Sequence, residues 1–379
     1  MLKGRELTTF RQQLLAWFRE YRRDLPWRRT KDPYRIWLSE IMLQQTRVAA
    51  VIPYYERFLE RFPDIHALAA APQEEVLRLW SGLGYYSRAR NLQRAAQEIV
   101  AKHGGIFPRP KKDALALPGI GSYTAAAILS IAYGAKHAVL DGNVARVLAR
   151  VFAVRGDVRD AKRWQSLQES ANALLDPRSP GDWNQAMMEL GATLCTPQAP
   201  QCLLCPVAQF CQARKLGIAG LLPARRKKRA TEKIALAAAV LLDPRGRTLL
   251  LPPPALPKNK SAQLVSKLWH FPTITVRTDP AAELQAHLNE ILPRSATRQP
   301  LLLEMLPAAR HTVTHHAITL LPFRVSVAQL PRVPGAKTIP LCDVISPSSL
   351  AISNLTRKAA RAALASPAAL SAHVTRYLL

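Results

Sequence analysis

The sequence predicts a multidomain chain, with an all-α N-terminal part followed by an α+β C-terminal domain. Three observations predict it. The 379 residues, 48% of them hydrophobic, are enough for more than one sizeable core. Residues 6–215 repeat apolar side chains at helical spacing, with no alternating strand pattern. After the charged, Pro-containing run Leu222-Pro-Ala-Arg-Arg-Lys-Lys-Arg-Ala-Thr231, which reads as an exposed linker, extended stretches and turn residues take over.

The elements follow in order. Phe10, Leu14, Leu15 and Phe18 form one apolar stripe. Asp32-Pro33 supplies an N-cap and a first-turn proline for a helix through about Gln44. Further helices fit Gln73–Trp80, Ser87–Lys102, Tyr123–Tyr133, Asn143–Val154 and Arg163–Leu174. In the second part, Ile234–Leu242 and Thr248–Leu251 read as strands around an Asp243–Gly246 turn. Asp279–Leu292 reads as a capped helix, His311–Val327 as extended, and Thr356–Leu364 as helical. No internal repeat is visible. The boundaries expected are a helical domain 1–220, a basic linker 221–232, an α+β domain 233–345 and a partly helical tail 346–379.

Lys and Arg number 53 against 26 Asp and Glu, a net +27. Residues 231–379 carry 17 basic and 7 acidic residues, or +10, which leaves +17 for residues 1–230. Two basic domains suit a long polyanion, although charge alone also fits a soluble surface or binding to membrane or RNA. No apolar run reaches the length of a membrane span. The N-terminus shows no signal-peptide pattern. The expectation is a soluble, cytoplasmic protein with no membrane partner.

Four of the five cysteines, Cys195, Cys202, Cys205 and Cys211, fall within 17 residues in a C-x6-C-x2-C-x5-C spacing. Such clustering points to a soft metal centre rather than disulfides. A four-thiolate zinc site and a [4Fe–4S] cluster both fit the ligand count. Cys342 stands alone and reads as a free thiol in the core.

Leu117-Pro-Gly-Ile-Gly-Ser-Tyr-Thr-Ala-Ala-Ala127 places Gly119 and Gly121 just before a helix that opens on Ser122. Backbone N–H groups at such a turn bind phosphate without side chains. Two carboxyls stand out. Glu40 sits within Ile36-Trp-Leu-Ser-Glu-Ile-Met-Leu43, apolar on nearly every side. Burial there would raise its pKa and make it a general acid; a structural ion pair with Arg35 or Arg47 is the equal alternative. Asp141 opens a helix, where an Asp is most often a plain N-cap. The helix dipole and N–H groups would favour its ionised form. One carboxyl pushed toward neutral and one toward charged would assign an acid and an electrostatic partner.

The stretches Leu25-Pro-Trp-Arg28, Glu40-Ile-Met-Leu-Gln-Gln-Thr46, Trp80-Ser-Gly-Leu-Gly-Tyr-Tyr-Ser87, Leu117–Thr124, Val139-Leu-Asp-Gly-Asn-Val144 and Asn184-Gln-Ala-Met-Met-Glu-Leu-Gly191 occur in this order, ahead of the cysteine loop. Residues 7–215 thereby resemble the MutY-type adenine DNA glycosylases of the endonuclease III superfamily. The resemblance implies two helical subdomains, a helix-hairpin-helix over residues 112–127, and one [4Fe–4S] cluster in a loop over residues 195–211. It selects iron–sulfur over zinc. It implies that Glu40 protonates a flipped adenine, that Asp141 stabilises the sugar cation, and that Tyr123 and Asn143 assist. Leu25, Trp27, Arg28, Thr46, Leu83, Gly84, Tyr85 and Glu189 match substrate-pocket stretches. Gln44, Gln45 and Tyr86 match residues that enter the duplex. Gly119, Gly121 and Ser122 would grip the DNA backbone. Lyase-type relatives place a Schiff-base Lys where Tyr123 stands, so base removal without strand cleavage is expected.

Leu268-Trp-His-Phe-Pro272 resembles a stretch of the family's Nudix-like lesion-recognition domain, with His270 in place of Glu, and no Nudix hydrolase box is present. The family's lesion-reading Phe-Ser-His aligns with Val313, Thr314 and His315. The partner implied is double-stranded DNA carrying 8-oxoguanine:adenine or guanine:adenine mispairs, bound by a monomer. A thymine, uracil or pyrimidine-lesion glycosylase is one alternative. A non-catalytic iron–sulfur protein that binds damaged DNA is another.

Overall fold

The computed structural model describes residues 2–224, 231–253, 268–293, 296, 300–313, 316–345 and 350–365. By packing, the chain divides into two compact units: Met1–Ala71 with Ser87–Lys227, and Pro72–Tyr86 with Lys228–Leu379.

The described residues of the first unit form helices and loops without strands. Helix α1 (Gly4–Tyr21) buries the expected stripe of Phe10, Leu14, Leu15 and Phe18. Helix α2 (Pro33–Leu43) starts where the sequence places it. Asp32 accepts a hydrogen bond from the Tyr34 N–H at 2.8 Å, and Pro33 occupies the first turn, where no N–H is needed. From Ile36 to Met42 every residue of α2 is buried, so it runs through the middle of the unit. The other helices of the unit are α3 (Val48–Arg61), α4 (Ile65–Ala70), α6 (Ser87–His103), α7 (Lys111–Ala116), α8 (Ser122–Tyr133), α9 (Gly142–Val151), α10 (Ala161–Leu174), α11 (Pro180–Thr193) and α12 (Gln212–Lys215), of which α3, α6 and α8 pack against α2. Of these, α3, α4, α11 and α12 lie outside the expected set, while α7 opens the helix-hairpin-helix expected over residues 112–127. Pro53 lies inside α3, α4 and α12 have only six and four residues, and Gly181 and Gly191 dilute the pattern of α11.

One buried asparagine fixes the approach to α9. Asn184 of α11 donates to Ser130 Oγ at 2.8 Å and to the His137 carbonyl at 2.7 Å. Its own carbonyl accepts the Val139 N–H at 3.1 Å. A fully satisfied buried amide specifies one geometry, because each lost bond would strand a polar group.

The second unit centres on a mixed sheet. Strands β1 (Glu232–Leu242) and β6 (His316–Ser326) pair in parallel along their whole length, from Glu232 opposite His316 to Leu242 opposite Ser326. With β2 (Arg247–Leu250), β3 (Thr273–Thr275), β4 (Leu303–Met305), β5 (Ala309–Val313) and β7 (Lys337–Pro340), the order is β4-β6-β1-β2-β7, with β3 on β1 and β5 on β6. Alternation along β1 feeds two cores. Leu236, Ala238 and Val240 pack with Phe271, Ile352, Ala359 and Ala363, the last two on α15 (Asn354–Ala365). Ala237, Ala239 and Leu241 pack with Phe323 and with Leu284 and Leu288 of α13 (Pro280–Ile291). Helices therefore cover both faces of the sheet.

Two expectations are corrected. Cys342, read as a core thiol, is exposed on α14 (Leu341–Ile345). Residues Pro72–Tyr86, which include α5 (Gln73–Leu79), fold with the sheet unit rather than with the helical domain expected over 1–220. Their partners lie some 200 residues away, a contact that local pattern does not encode. Among the described residues, no helix is long and apolar enough to cross a membrane.

Phe323 is 1% exposed between the sheet and α13. Phe323→Ala should cost about 3–5 kcal/mol of second-unit stability, measured by denaturant unfolding. A loss below about 1 kcal/mol would show that this core is not close-packed.

Candidate active site

Three elements of the first unit meet at one cavity of about 550 Å³. Helix α2 contributes Glu40, the first turn of α8 contributes Tyr123, and the start of α9 contributes Asp141 and Asn143. Glu40 is 7% exposed, and the Tyr123 hydroxyl donates to its Oε2 at 2.7 Å. Met188 Sδ lies 3.2 Å from the same hydroxyl. Asp141 caps α9 in the ordinary way, accepting the Val144 N–H at 2.7 Å on Oδ1. Its Oδ2 accepts the Asn143 side-chain amide at 3.1 Å.

Burial pushes the Glu40 carboxyl up to about 7, and the nearby Asp141 charge adds to the rise. The Tyr123 hydrogen bond and Arg28 oppose it without reversing it. Near neutral pH this carboxyl is therefore poised to give or hold a proton. Tyr123 is raised well above its ordinary value, by burial first and then by Glu40 and Asp141, so it stays a phenol and a donor. Glu40 takes its hydrogen bond from Tyr123, while Arg35 faces Asp32 at 3.6 Å. That geometry favours the buried acid over the ion pair.

Asp141 departs from expectation. The bonds from Val144 and Asn143 do pull its carboxyl down, but burial outweighs them and leaves it above its usual value. Both carboxyls rise, and they differ in degree rather than in sign.

Leu25, Trp27, Arg28, Gln44, Gln45, Thr46 and Glu189 line the same cavity. Glu189 is buried and accepts from Arg23 Nε and Nη2, both at 2.7 Å, and from Arg28 Nη2 at 2.8 Å. Burial alone would raise this carboxyl, yet the two guanidiniums hold it down at about 2. The cavity thus holds one carboxyl near neutrality and one firmly charged. Arg23 and Met188 were not singled out, although Met188 lies within the Asn184–Gly191 stretch and Arg23 two residues before Leu25. Arg88 was missed as well. Its Nη1 donates to the Ile41 and Met42 carbonyls at 2.9 and 3.0 Å, capping the end of α2 that leads to Gln44.

Close approach brings α11 to the start of α9. A Cβ on Gly191 would stand 2.7 Å from Asn143 Cβ and 3.0 Å from the Asn143 carbonyl oxygen. Arg146 spans the same region, donating to Asn143 Oδ1 at 2.9 Å, to the Gly191 carbonyl at 2.7 Å and to the Cys195 carbonyl at 2.8 Å.

Cys195, Cys202, Cys205 and Cys211 line one small cavity with Arg150. The buried Arg150 donates to Cys195 Sγ at 3.3 Å and to the Thr196 carbonyl at 2.7 Å. Burial pushes the Cys205 thiol up to about 12 and raises Cys211, and the neighbouring sulfurs add to both. Among the described residues, no three His, Cys, Asp or Glu side chains converge on a single ion position. Four sulfur donors that repel one another as thiolates suit a polynuclear cationic centre spread between them.

The hairpin between α7 and α8 turns at Gly119, whose φ is +76°. A Cβ there would lie 2.8 Å from Asn91 Cβ. Gly121 stands at the N-cap of α8 and supplies no side-chain cap to its first N–H groups. Leu83, Gly84, Tyr85 and Tyr86 belong to the sheet unit. Tyr86, expected to enter the duplex, has its hydroxyl bonded to the Gly82 N–H at 3.3 Å; Tyr85 is the exposed member of the pair, at 40%. Val313 ends β5, while Thr314 and His315 lie outside the described residues.

Residues 38–173 match the HhH-GPD superfamily of base excision DNA repair proteins. Adenine DNA glycosylase of Rattus norvegicus is 36% identical over 384 residues, spanning 88% of this chain and 73% of the relative. The chain belongs to the adenine DNA glycosylase family. The adenine DNA glycosylase of Homo sapiens is 50% identical over 219 residues, covering 55% of this chain and 40% of that relative. Against that family member, then, the match spans well under half the length. A solved thermostable thymine-DNA glycosylase aligns with TM-score 0.51 and 30% identity over 56% of this chain and 97% of its own.

The raised Glu40 carboxyl has a cost in stability. Between its unfolded value near 4.5 and its folded value near 7, the folded state binds more protons, so stability falls as pH rises through that window. Glu40→Gln should therefore be more stable than the parent at pH 8, by on the order of 3 kcal/mol, with the gain vanishing near pH 4. Equal unfolding midpoints at both pH values would refute the raised pKa.

Proposed function

We propose that this chain excises adenine from double-stranded DNA where it is mispaired with 8-oxoguanine or guanine, without cutting the strand. The observation that carries the reading is the buried Glu40, hydrogen-bonded by Tyr123 and sharing its cavity with Asp141. The family relatives support adenine as the base.

The flipped nucleoside enters the cavity at a cost of a few kcal/mol in lost stacking and pairing. Glu40 transfers its proton to adenine N7. The C1′–N9 bond then breaks, and both electrons leave with the base. The sugar becomes an oxocarbenium ion, and Asp141, held by the Val144 N–H and Asn143, stabilises that cation electrostatically. Water adds to C1′ and passes a proton back to the Glu40 carboxylate, leaving an abasic site and free adenine. Tyr123 keeps Glu40 oriented and carries no amine, so no Schiff base forms. Arg28, fixed by Glu189, and Leu25, Trp27, Thr46 and Gln44 shape the base pocket, with Gln45 at φ +57° on its wall. Leu83 and Gly84 support the turn that carries Tyr85, and Tyr85 rather than Tyr86 meets the duplex.

The backbone N–H groups around Gly119, Gly121 and Ser122 hold phosphate. Cys195, Cys202, Cys205 and Cys211 would hold one [4Fe–4S] cluster, which would supply local rigidity rather than chemistry. The sheet unit is a Nudix-like reader of the opposite base through Val313, Thr314 and His315.

Glu40→Gln should lower single-turnover adenine release by about 10²–10⁴-fold while leaving DNA affinity in place. The parent's rate should decline as pH rises through about 7, where Glu40 loses its proton. A pH-independent rate, or near-normal turnover by the variant, would show that another group is the acid. The duplex panel should include 8-oxoguanine·A, G·A, G·T and G·U. Release confined to G·T and G·U would favour the thymine or uracil alternative. Borohydride should trap no covalent adduct with substrate DNA; efficient trapping would reveal a lyase amine.

A further inference from the structure

The turn Ser81–Tyr86 is tied to the sheet unit at two places. At its own level, Ser81 Oγ donates to the Ile352 carbonyl at 2.8 Å, and the Tyr86 hydroxyl reaches the same carbonyl at 3.5 Å. Asn354 donates its side-chain amide to the Gly82 carbonyl at 3.5 Å. One helix earlier, the Glu74 carboxylate of α5 takes Lys337 Nζ at 3.2 Å and Trp269 Nε1 at 3.3 Å. Lys337 also stands 4.8 Å from the centre of the Trp269 ring, and the Trp269 N–H donates to the Ala351 carbonyl at 3.0 Å. The strand end at Lys337, the Trp269 ring and the segment Ala351–Asn354 thus hold residues 74–86 at both ends.

Inside this frame the turn uses φ of +116° and +71° at Gly82 and Gly84, which glycine adopts freely, but also φ of +48° at Tyr85, which is costly for a side chain of that size. A bulky L-residue stays in the left-handed region only where its surroundings over-determine it. Tyr85 also presents a 40% exposed ring.

We infer that the sheet unit, through Ile352, Lys337 and Trp269, is a clamp that positions Tyr85 before DNA arrives, with Ser81 and Tyr86 as its contacts on the turn and Glu74 as its contact on α5. This rests on the reading of the chain as a base-flipping glycosylase, in which an exposed aromatic at this turn stacks on the bases it separates. Released from the clamp, Tyr85 relaxes out of its strained conformation and base extrusion slows. Encounter binding is dominated by phosphate contacts and changes little. The sheet unit then contributes to excision through residues that do not read the opposite base.

The test uses the full-length, cluster-loaded protein and the variants Ser81→Ala, Lys337→Met and Lys337→Arg. Hydrogen exchange of residues 80–86 is followed in the free protein. Extrusion is followed by the fluorescence of 2-aminopurine opposite 8-oxoguanine, and adenine release by single-turnover rate at saturating enzyme. Ser81→Ala and Lys337→Met should speed exchange of the turn and lower the extrusion signal, and the rate should fall about tenfold or more. Affinity should stay within about twofold, and the pH profile set by Glu40 should not move. Lys337→Arg keeps the cation and should retain parental behaviour. Unchanged exchange in both disruptive variants overturns the clamp, and faster exchange with an unchanged rate overturns its role in the reaction. Should the parent protein release no adenine from any duplex while exchange still responds, the functional reading fails and the clamp stands.

Discussion

The interaction on which the site depends is the hydrogen bond from Tyr123 to Glu40 inside the first unit. A lone carboxyl buried this deeply would cost several kcal/mol to ionise, and an arginine beside it would hold it permanently charged. A phenol does neither. It satisfies one oxygen with a neutral donor and leaves the carboxyl near neutrality, free to exchange its proton. Glu189, in the same cavity, shows the opposite solution. Paired with Arg23 and Arg28, it stays charged and acts as a fixed anchor for a guanidinium. Two glutamates of identical chemistry thus differ in protonation because one neighbour is a phenol and the others are cations.

That arrangement is held by contacts one step removed from the cavity. Asn184 ties α8, α11 and the chain before Asp141 together. Gly191 lets α11 approach Asn143 to a distance that excludes any side chain, and Arg146 joins Asn143 to the backbone of the first cysteine. Each of these groups is polar or small, and each sets a distance or a direction rather than filling space. The cavity is therefore open where a base must enter and rigid where the carboxyls must be aimed, as electrostatic preorganisation requires.

The second unit rests on a different principle. Its central strands β1 and β6 are apolar on both faces and pair in parallel, so the sheet is stable only with helices on either side. That rigidity gives Lys337, Trp269 and Ile352 fixed positions from which to hold the Ser81–Tyr86 turn.

The sequence by itself determined much of this protein. The helical first part, the strand-rich second part, the starts of α2 and α9, the hairpin glycines and the cavity residues from Leu25 to Thr46 are all legible in it. The elements rest on short-range physics, since helical periodicity, N-caps, first-turn prolines and glycine turns act within a few residues; the cavity residues are legible only through the resemblance of their motifs to a known family. Only the tertiary structure decided the rest. Which partner Glu40 would take, why Asp141 rises despite its cap, and how Arg23, Met188 and Arg88 join the site depend on residues dozens to more than a hundred positions apart. So does the assignment of Pro72–Tyr86 to the sheet unit. Burial and pairing are properties of where the chain returns to itself, and no local pattern records the return.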